Sequence, residues 1–248
     1  MRMDSLQKLR EIHLQATKEA LKKSVQQDTL IIQAQNSSET LQKVANTLAE
    51  KLKEWYVLYN PEFLHKIKDN QEFTQKIINK SRKELLQEIG KKEQETMGGT
   101  LQQKDIEAFT SLAKNINELF AQTKNLQNYI ENSLQQVCPN TLALAGPQIT
   151  AKLLVLTNGI KKLAEMPSSA IQLLGAEKAL FRHLKQGAKT PKFGVLQGHP
   201  LVQTARKKIK GKIARALADK IAIAAKIDYF KGTFIGGKLR KQIEQKFT

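Results

Sequence analysis

Apolar residues in this chain recur at spacings of three and four, the period of an amphipathic helix, and little of the sequence alternates as a strand would. Leu41, Val44, Leu48, Leu52, Trp55 and Tyr59 form one such stripe. It stops at Asn60-Pro61, where a missing N–H and a fixed φ end a helix. A stronger pattern begins after Gly98-Gly99, where Thr100 and Gln103 have capping-box spacing. Phe109, Ile116, Thr123, Ile130 and Val137 then repeat every seven residues, with Leu112, Leu119 and Leu126 at a second position of the heptad. Such a repeat keeps one narrow seam turned toward a partner helix, the signature of a coiled coil. The flexible Met97-Gly98-Gly99 lets the second helix fold back antiparallel on the first. Pairing of the same seam, through Phe109, Leu112, Ile116, Leu119, Leu126 and Ile130, with a second protomer stays open, so a homodimer is expected beside the hairpin.

From Pro139 the texture changes. PNTLALAGPQITAKLLVLTNGIKKLAEMPSSAIQLLG is apolar, nearly uncharged and without a narrow seam, as in a globular helical core. Pro147 suits a helix start and Pro167 marks a stop. The expected fold class is therefore all-α, a long antiparallel coiled-coil hairpin followed by a compact helical domain. The divisions expected are an N-terminal helical linker over 1–40, the coiled coil over 41–138, the compact domain over 139–232 and a basic C-terminal tail over 233–248. Gly232 to Leu239, GTFIGGKL, imitates a phosphate-binding loop, but Leu239 stands where Ser or Thr would hold magnesium and no strand precedes it. A turn in the tail is the better reading.

Charge sharpens the division. The 248 residues carry a formal +18, yet Gly175 to Thr248 holds 18 Lys+Arg against 4 Asp+Glu, while Met1 to Thr150 holds 20 against 18. Cations concentrated in one segment are the electrostatic footprint of a polyphosphate binder. A lone cysteine, Cys138, makes no intrachain disulfide, and four scattered histidines do not supply a zinc site. No metal and no cofactor are expected. No apolar run of about 18 residues exists, so no membrane partner is expected, and a reducing, intracellular compartment fits.

Within the basic segment, Lys208, Lys212 and Arg215 share one helix face while Ile209, Ile213, Leu217 and Ile221 line another. Arg182, His183, Lys185, Lys189, Lys192 and Phe193 lie in and after a short helix that enters a Gly/Pro loop, mixing cations with flat side chains able to stack on bases. Phe181 reads equally as core or as a stacking aromatic. Phe193, between Lys192 and Gly194, reads as a loop-tip residue. His183 and His199 have no evident nucleophile or orienting acid beside them, so no catalytic residue is assigned.

GAEKALFRHLKQGAKTPKFG, then HPLV, then GKIARALADKIAIAAKIDYF resemble the Nop-domain family, found in archaeal box C/D small ribonucleoproteins, two eukaryotic nucleolar relatives and a spliceosomal pre-mRNA-processing factor. PNTLALAGPQITAKLL, AEMPSSAIQLLG, DTLIIQA, LAEKLKEWYVLYNPEF and the ETMGG turn are similar to the family too. The resemblance implies a non-enzymatic scaffold whose Nop domain, at 139–232 here, binds a kink-turn RNA together with a small ribosomal-protein-like subunit. It implies that Gly175, Ala176, Glu177 and Lys178 face that joint surface. Ala179, Leu180, Phe181 and Arg182 would lie by the guide–substrate duplex, and the Lys192–Phe193 loop would approach RNA; His199 belongs to the HPLV match. It further implies a coiled coil that pairs protomers, and an association with guide-directed 2′-O-methylation by fibrillarin, which itself uses S-adenosylmethionine. The family's fibrillarin-holding domain has no counterpart in the 27 residues before DTLIIQA, so fibrillarin recruitment is left open, with a short paralogue that binds RNA without it as the alternative. VLQG at Val195 to Gly198 lacks the family's usual aromatic. Lys210 and Lys226 stand where arginine is common, keeping charge without the bidentate fork. A coiled-coil interaction protein without RNA function, and a basic protein for DNA or membrane surfaces, are the rival readings.

Overall fold

A computed structural model of the chain describes residues 2–247. Among the described residues there are thirteen α-helices and no strand. They are α1 (Arg2–Ser24), α2 (Gln27–Tyr56), α3 (Pro61–Leu64), α4 (Asn70–Asn79), α5 (Arg82–Glu88), α6 (Gln103–Val137), α7 (Pro139–Thr157), α8 (Ile160–Glu165), α9 (Ser168–Leu173), α10 (Glu177–Gln186), α11 (Pro200–Thr204), α12 (Lys210–Tyr229) and α13 (Gly236–Phe247). Two compact units result, one of Asn36–Asn128 and one of Met1–Gln35 with Tyr129–Thr248. The all-α expectation holds.

In the unit of Asn36–Asn128, α2 and α6 share one core, with α3 to α5 closing its end. Tyr56 at the end of α2 meets Phe109 near the start of α6 edge-on, ring centroids 5.3 Å apart, and also meets Phe63 and Phe73. One position of the predicted heptad, Phe109, Ile116, Thr123 and Ile130, is buried, while its leucine position is not. Ala45, Ala49, Leu52 and Tyr56 of α2 are buried with Phe109, Ala113, Ile116 and Phe120 of α6. Leu48, Leu112 and Leu119 flank that core, half-buried, Leu126 is likewise half-buried, and Val44 and Trp55 are exposed. Alanine carries little weight in a hydropathy pattern, yet it is what lets two helix backbones approach, since interaxial distance follows side-chain size. The larger leucines then cover the flanks. The start of α6 also differs, because Asp105 accepts from Gln102 N–H at 3.3 Å and Thr100 lies outside the helix. At the end of this unit, the buried Glu62 carboxylate accepts from Thr96 Oγ1 and Met97 N–H, both at 2.8 Å, and Arg82 donates to Gly98 O at 2.8 Å. The glycine turn that sequence reads as flexible is thus tied down.

In the other unit, α12 is the central helix, packed by α7, α8, α9, α11 and α13. Ala214, Ala218, Ala224 and Ala225 are fully buried along it, between Ile213, Leu217 and Ile221. Gly146 leaves helical backbone at φ 75, so α7 is two segments joined by a kink, and Pro147 follows at the start of the second. Within the expected basic tail, α13 buries Leu239 and Ile243 in the same core. The helix starts are capped from a distance. Cys138 gives α7 no side-chain cap; instead Asp228, at the end of α12, accepts from Asn140 N–H, Asn140 Nδ2, Thr141 N–H and Thr141 Oγ1 at 2.7–3.0 Å. Asn140 Oδ1 in turn accepts from Ile235 and Gly236 N–H at the start of α13, 2.6 and 2.8 Å. Asp28 of α2 accepts from Ile160 N–H, the first residue of α8, at 3.1 Å. Buried helix-start donors are thus satisfied by acids the sequence places 88 and 132 residues away.

The seam assignment separates two truncations. Phe120→Ala should cost about 3 kcal/mol or more, and Leu119→Ala about 1, in urea unfolding of the purified protein. Equal losses at both positions would contradict the observed register.

Candidate nucleic-acid interface

The run from Gly175 into α10 is built by close backbone approach. Gly175 has φ +84, and a Cβ there would lie 2.6 Å from Val195 Cγ2; a Cβ on Gly194 would lie 1.8 Å from the Leu174 carbonyl oxygen. Only glycine fits either position. Val195 N–H donates to Leu174 O at 2.7 Å and Gly194 N–H to Gln172 O at 2.9 Å, while Gln172 Nε2 donates to Lys192 O at 2.6 Å. These bonds fasten the loop after α10 back onto α9.

α10 itself buries no residue. Ala176, Ala179, Leu180 and His183 are half-buried, while Glu177, Lys178, Phe181, Arg182, Leu184 and Lys185 face solvent. Phe181 and Leu184 are 57% and 74% exposed, which decides the open reading of Phe181 in favour of the surface. Lys185 Nζ sits 4.7 Å over the Phe181 ring, a cation–π pair that holds an aromatic beside a charge. Glu177 Oε1 accepts from Gly175 N–H at 2.6 Å, so that acid is spent on the turn. Gly187, at φ 63, ends the helix, and His183 Nδ1 meets Ala188 O while its ring contacts Thr190 Oγ1, tethering the loop.

Lys189 and Lys192 are exposed on that loop. The Lys192 side chain passes over Gly211, 3.6 Å from where a Cβ would stand, at the first turn of α12. Arg215 is exposed one turn further on, but Lys208 precedes α12, so the shared helix face holds for Lys212 and Arg215 and not for Lys208. Lys208 is nonetheless exposed, as are Arg206 and Lys207.

Two expectations are corrected. Phe193 is half-buried and packs on the core because the Gln172 and Leu174 bonds pull its loop inward. His199 is buried, not exposed: Nε2 donates to Leu144 O at 3.0 Å and Nδ1 accepts from Leu201 N–H at 3.3 Å, capping α11. Sequence reasoning missed Leu184, three residues after Phe181, and Gln172, whose positioning role gives no local signal. Among the described residues, no group of three His, Cys, Asp or Glu side chains is placed to hold a metal, and no helix is long and apolar enough to cross a membrane.

Burial pushes the His199 pKa below its ordinary 6.5, the Leu144 hydrogen bond opposes, and Arg240 adds to the depression while Glu244 offsets it. A depressed histidine is neutral when folded, so its stabilisation is complete above the unfolded value and lost as pH falls through the folded one. The urea midpoint should therefore drop as pH falls below the ordinary histidine value of about 6.5, and drop less in His199→Gln. Parallel pH profiles for the two proteins would remove His199 as the cause.

Exposed cations on a glycine-built loop, beside a helix that presents an aromatic to solvent, are the features of a candidate nucleic-acid interface. The comparisons name the kind. Residues 37–248 match the family profile described as "Nop: snoRNA binding domain, fibrillarin", and the chain belongs to the Nop family. An uncharacterized NOP5 family protein of Methanocaldococcus jannaschii is 39% identical over 92% of this chain and 60% of its own length. Nucleolar protein 56 of Schizosaccharomyces pombe is 33% identical over 88% of this chain and 48% of its own, and nucleolar protein 58 of Scheffersomyces stipitis 37% over 81% and 42%. The chain thus spans about half the length of these relatives. The crystal structure of a fibrillarin/Nop5p complex shares the fold, with TM-score 0.59 and 24% identity over all of this chain and 79% of that one.

Proposed function

We propose that this chain is a non-enzymatic RNA-binding scaffold of a box C/D-type ribonucleoprotein. The observation that carries it is the exposed α10 with its adjoining lysine loop, lying inside the region matched to a snoRNA-binding domain. In this reading Lys178, Arg182 and Lys185 on α10, with Lys189, Lys192, Lys212 and Arg215, meet the phosphates of a kink-turn RNA. Phe181 offers a stacking face, and a small kink-turn-binding subunit completes the surface. Phosphate contacts position the RNA, and shape supplies the selection. The scaffold serves guide-directed 2′-O-methylation, with the chemistry left to a partner such as fibrillarin, the protein complexed with Nop5p in the fold neighbour. The helices α2 and α6 form the hairpin, and the flank that bears Leu112, Leu119 and Leu126 pairs protomers.

A gel-shift on a box C/D kink-turn RNA, with and without the small kink-turn-binding protein, tests this reading. Tight binding only to the preformed complex is expected. Lys178→Ala/Arg182→Ala should weaken that binding about tenfold or more and lower the salt slope by about two. Equal binding to every RNA, unaltered in the double variant, would leave only non-specific charge.

A further inference from the structure

The loop between α12 and α13 holds two phenylalanines in water. Phe230 is 77% exposed and Phe234 61%, and Tyr229 supports the Phe230 ring edge-on at 5.1 Å. Exposed aromatics on a loosely held loop would say little. This loop is fixed at both ends by the buried network: Asp228 before it binds Asn140 and Thr141, and Asn140 binds Ile235 and Gly236 after it. Within it, Gly232 N–H donates to Ile227 O at 2.8 Å and Lys231 takes a left-handed backbone at φ 53. A rigid turn that spends its polar groups on holding phenylalanines outward is a presentation device, because a monomer gains nothing by hydrating them.

What it presents them to follows from charge. Lys220, Lys226, Lys231, Lys238, Arg240 and Lys241 lie between residues 220 and 243, and the one acid in that span, Asp228, is buried with its oxygens occupied. Among the described residues Lys226, Lys231 and Lys238 are exposed or half-exposed and stand in no ion pair. Beside the loop an open cavity of about 790 Å³ is lined by Tyr229, Lys231 and Gly232, by Gln26, Gln27 and Gln136, and by Asp228 with three apolar residues of α6 to α8. Asp28 also borders it, with Oδ2 engaged by Ile160 N–H. Flat rings, unpaired cations and amide groups beside a nucleotide-sized cavity are the parts of a single-strand site: rings stack on bases, lysines follow phosphates, and amides meet base edges.

We infer that Tyr229, Phe230, Lys231 and Phe234 form a second RNA contact, distinct from α10, that takes an unpaired single-stranded RNA segment by base stacking. It rests on the RNA-binding reading above for its ligand class. The test is fluorescence anisotropy with a decauridine RNA and a ten-base-pair RNA duplex, on the whole chain and on Phe230→Ala/Phe234→Ala, Lys231→Ala and Phe181→Ala. Both phenylalanines are solvent-exposed, so the double variant should keep its helical circular dichroism. It should lose about tenfold or more in decauridine affinity and change little on the duplex, as loss of stacking requires. Photo-crosslinks from 4-thiouridine should map to residues 229–234. Wild-type affinity within about twofold in the folded double variant, or no decauridine binding by the wild type, would overturn the inference. So would a dimer dissolved by the same variant with no effect on RNA, which would give the patch to a second copy. The two readings fail separately. A protein that ignores the kink-turn complex but still needs Phe230 and Phe234 for decauridine sinks only the former, and intact kink-turn binding with an indifferent double variant sinks only this one.

Discussion

A buried carboxylate governs the basic unit. Asp228 sits in the last turn of α12, where a negative charge faces the negative end of its own helix dipole. It is stable there because both oxygens lie at the start of α7, accepting Asn140 and Thr141 N–H and both side-chain donors. Pro139 at the first position of α7 has no N–H to satisfy, so the orphan donors of that helix start fall to this acid. Asn140 passes the constraint on to the start of α13. One acid therefore aligns two helix starts against the central helix, and the position of the loop after α12 follows.

The functional surface is set by the same economy of core and rim. Alanines along α12 let α7, α8 and α9 close in, which leaves the lysines and Arg215 at the surface. Two glycines then permit the backbone contact between Leu174 and Gly194 that seats the lysine loop. Gly175 is required by its own left-handed backbone and by Val195, whatever it meets in a complex.

Much of this was legible in the sequence, and the reasons for the rest are physical. Helical period, the all-α class and the cation concentration are local properties, and they carried through to the structure. Phe109, Ile116 and Ile130 are buried as their heptad predicts, but the leucines of α6 were over-weighted because Ala45, Ala49 and Ala113 look neutral in a hydropathy pattern and yet decide how near two backbones come. Phe181, open between core and surface in the sequence, is exposed because α10 has no core under it, and Phe193 is half-buried because the Gln172 amide draws its loop inward. His199 reads as a chemical group and acts as a cap. Remote capping by Asp28 and Asp228 leaves no trace in local sequence, since each partner lies far along the chain.

The most direct test of Asp228 as the organising group is the unfolding free energy of Asp228→Asn, followed by the helical circular dichroism in urea. The amide keeps the shape but sets a donor against the donors of Asn140 and Thr141. A loss of about 3 kcal/mol or more is predicted, as for a buried charged acceptor removed from its partners. A loss below about 0.5 kcal/mol would show that α7, α12 and α13 are aligned by packing and that this carboxylate is incidental.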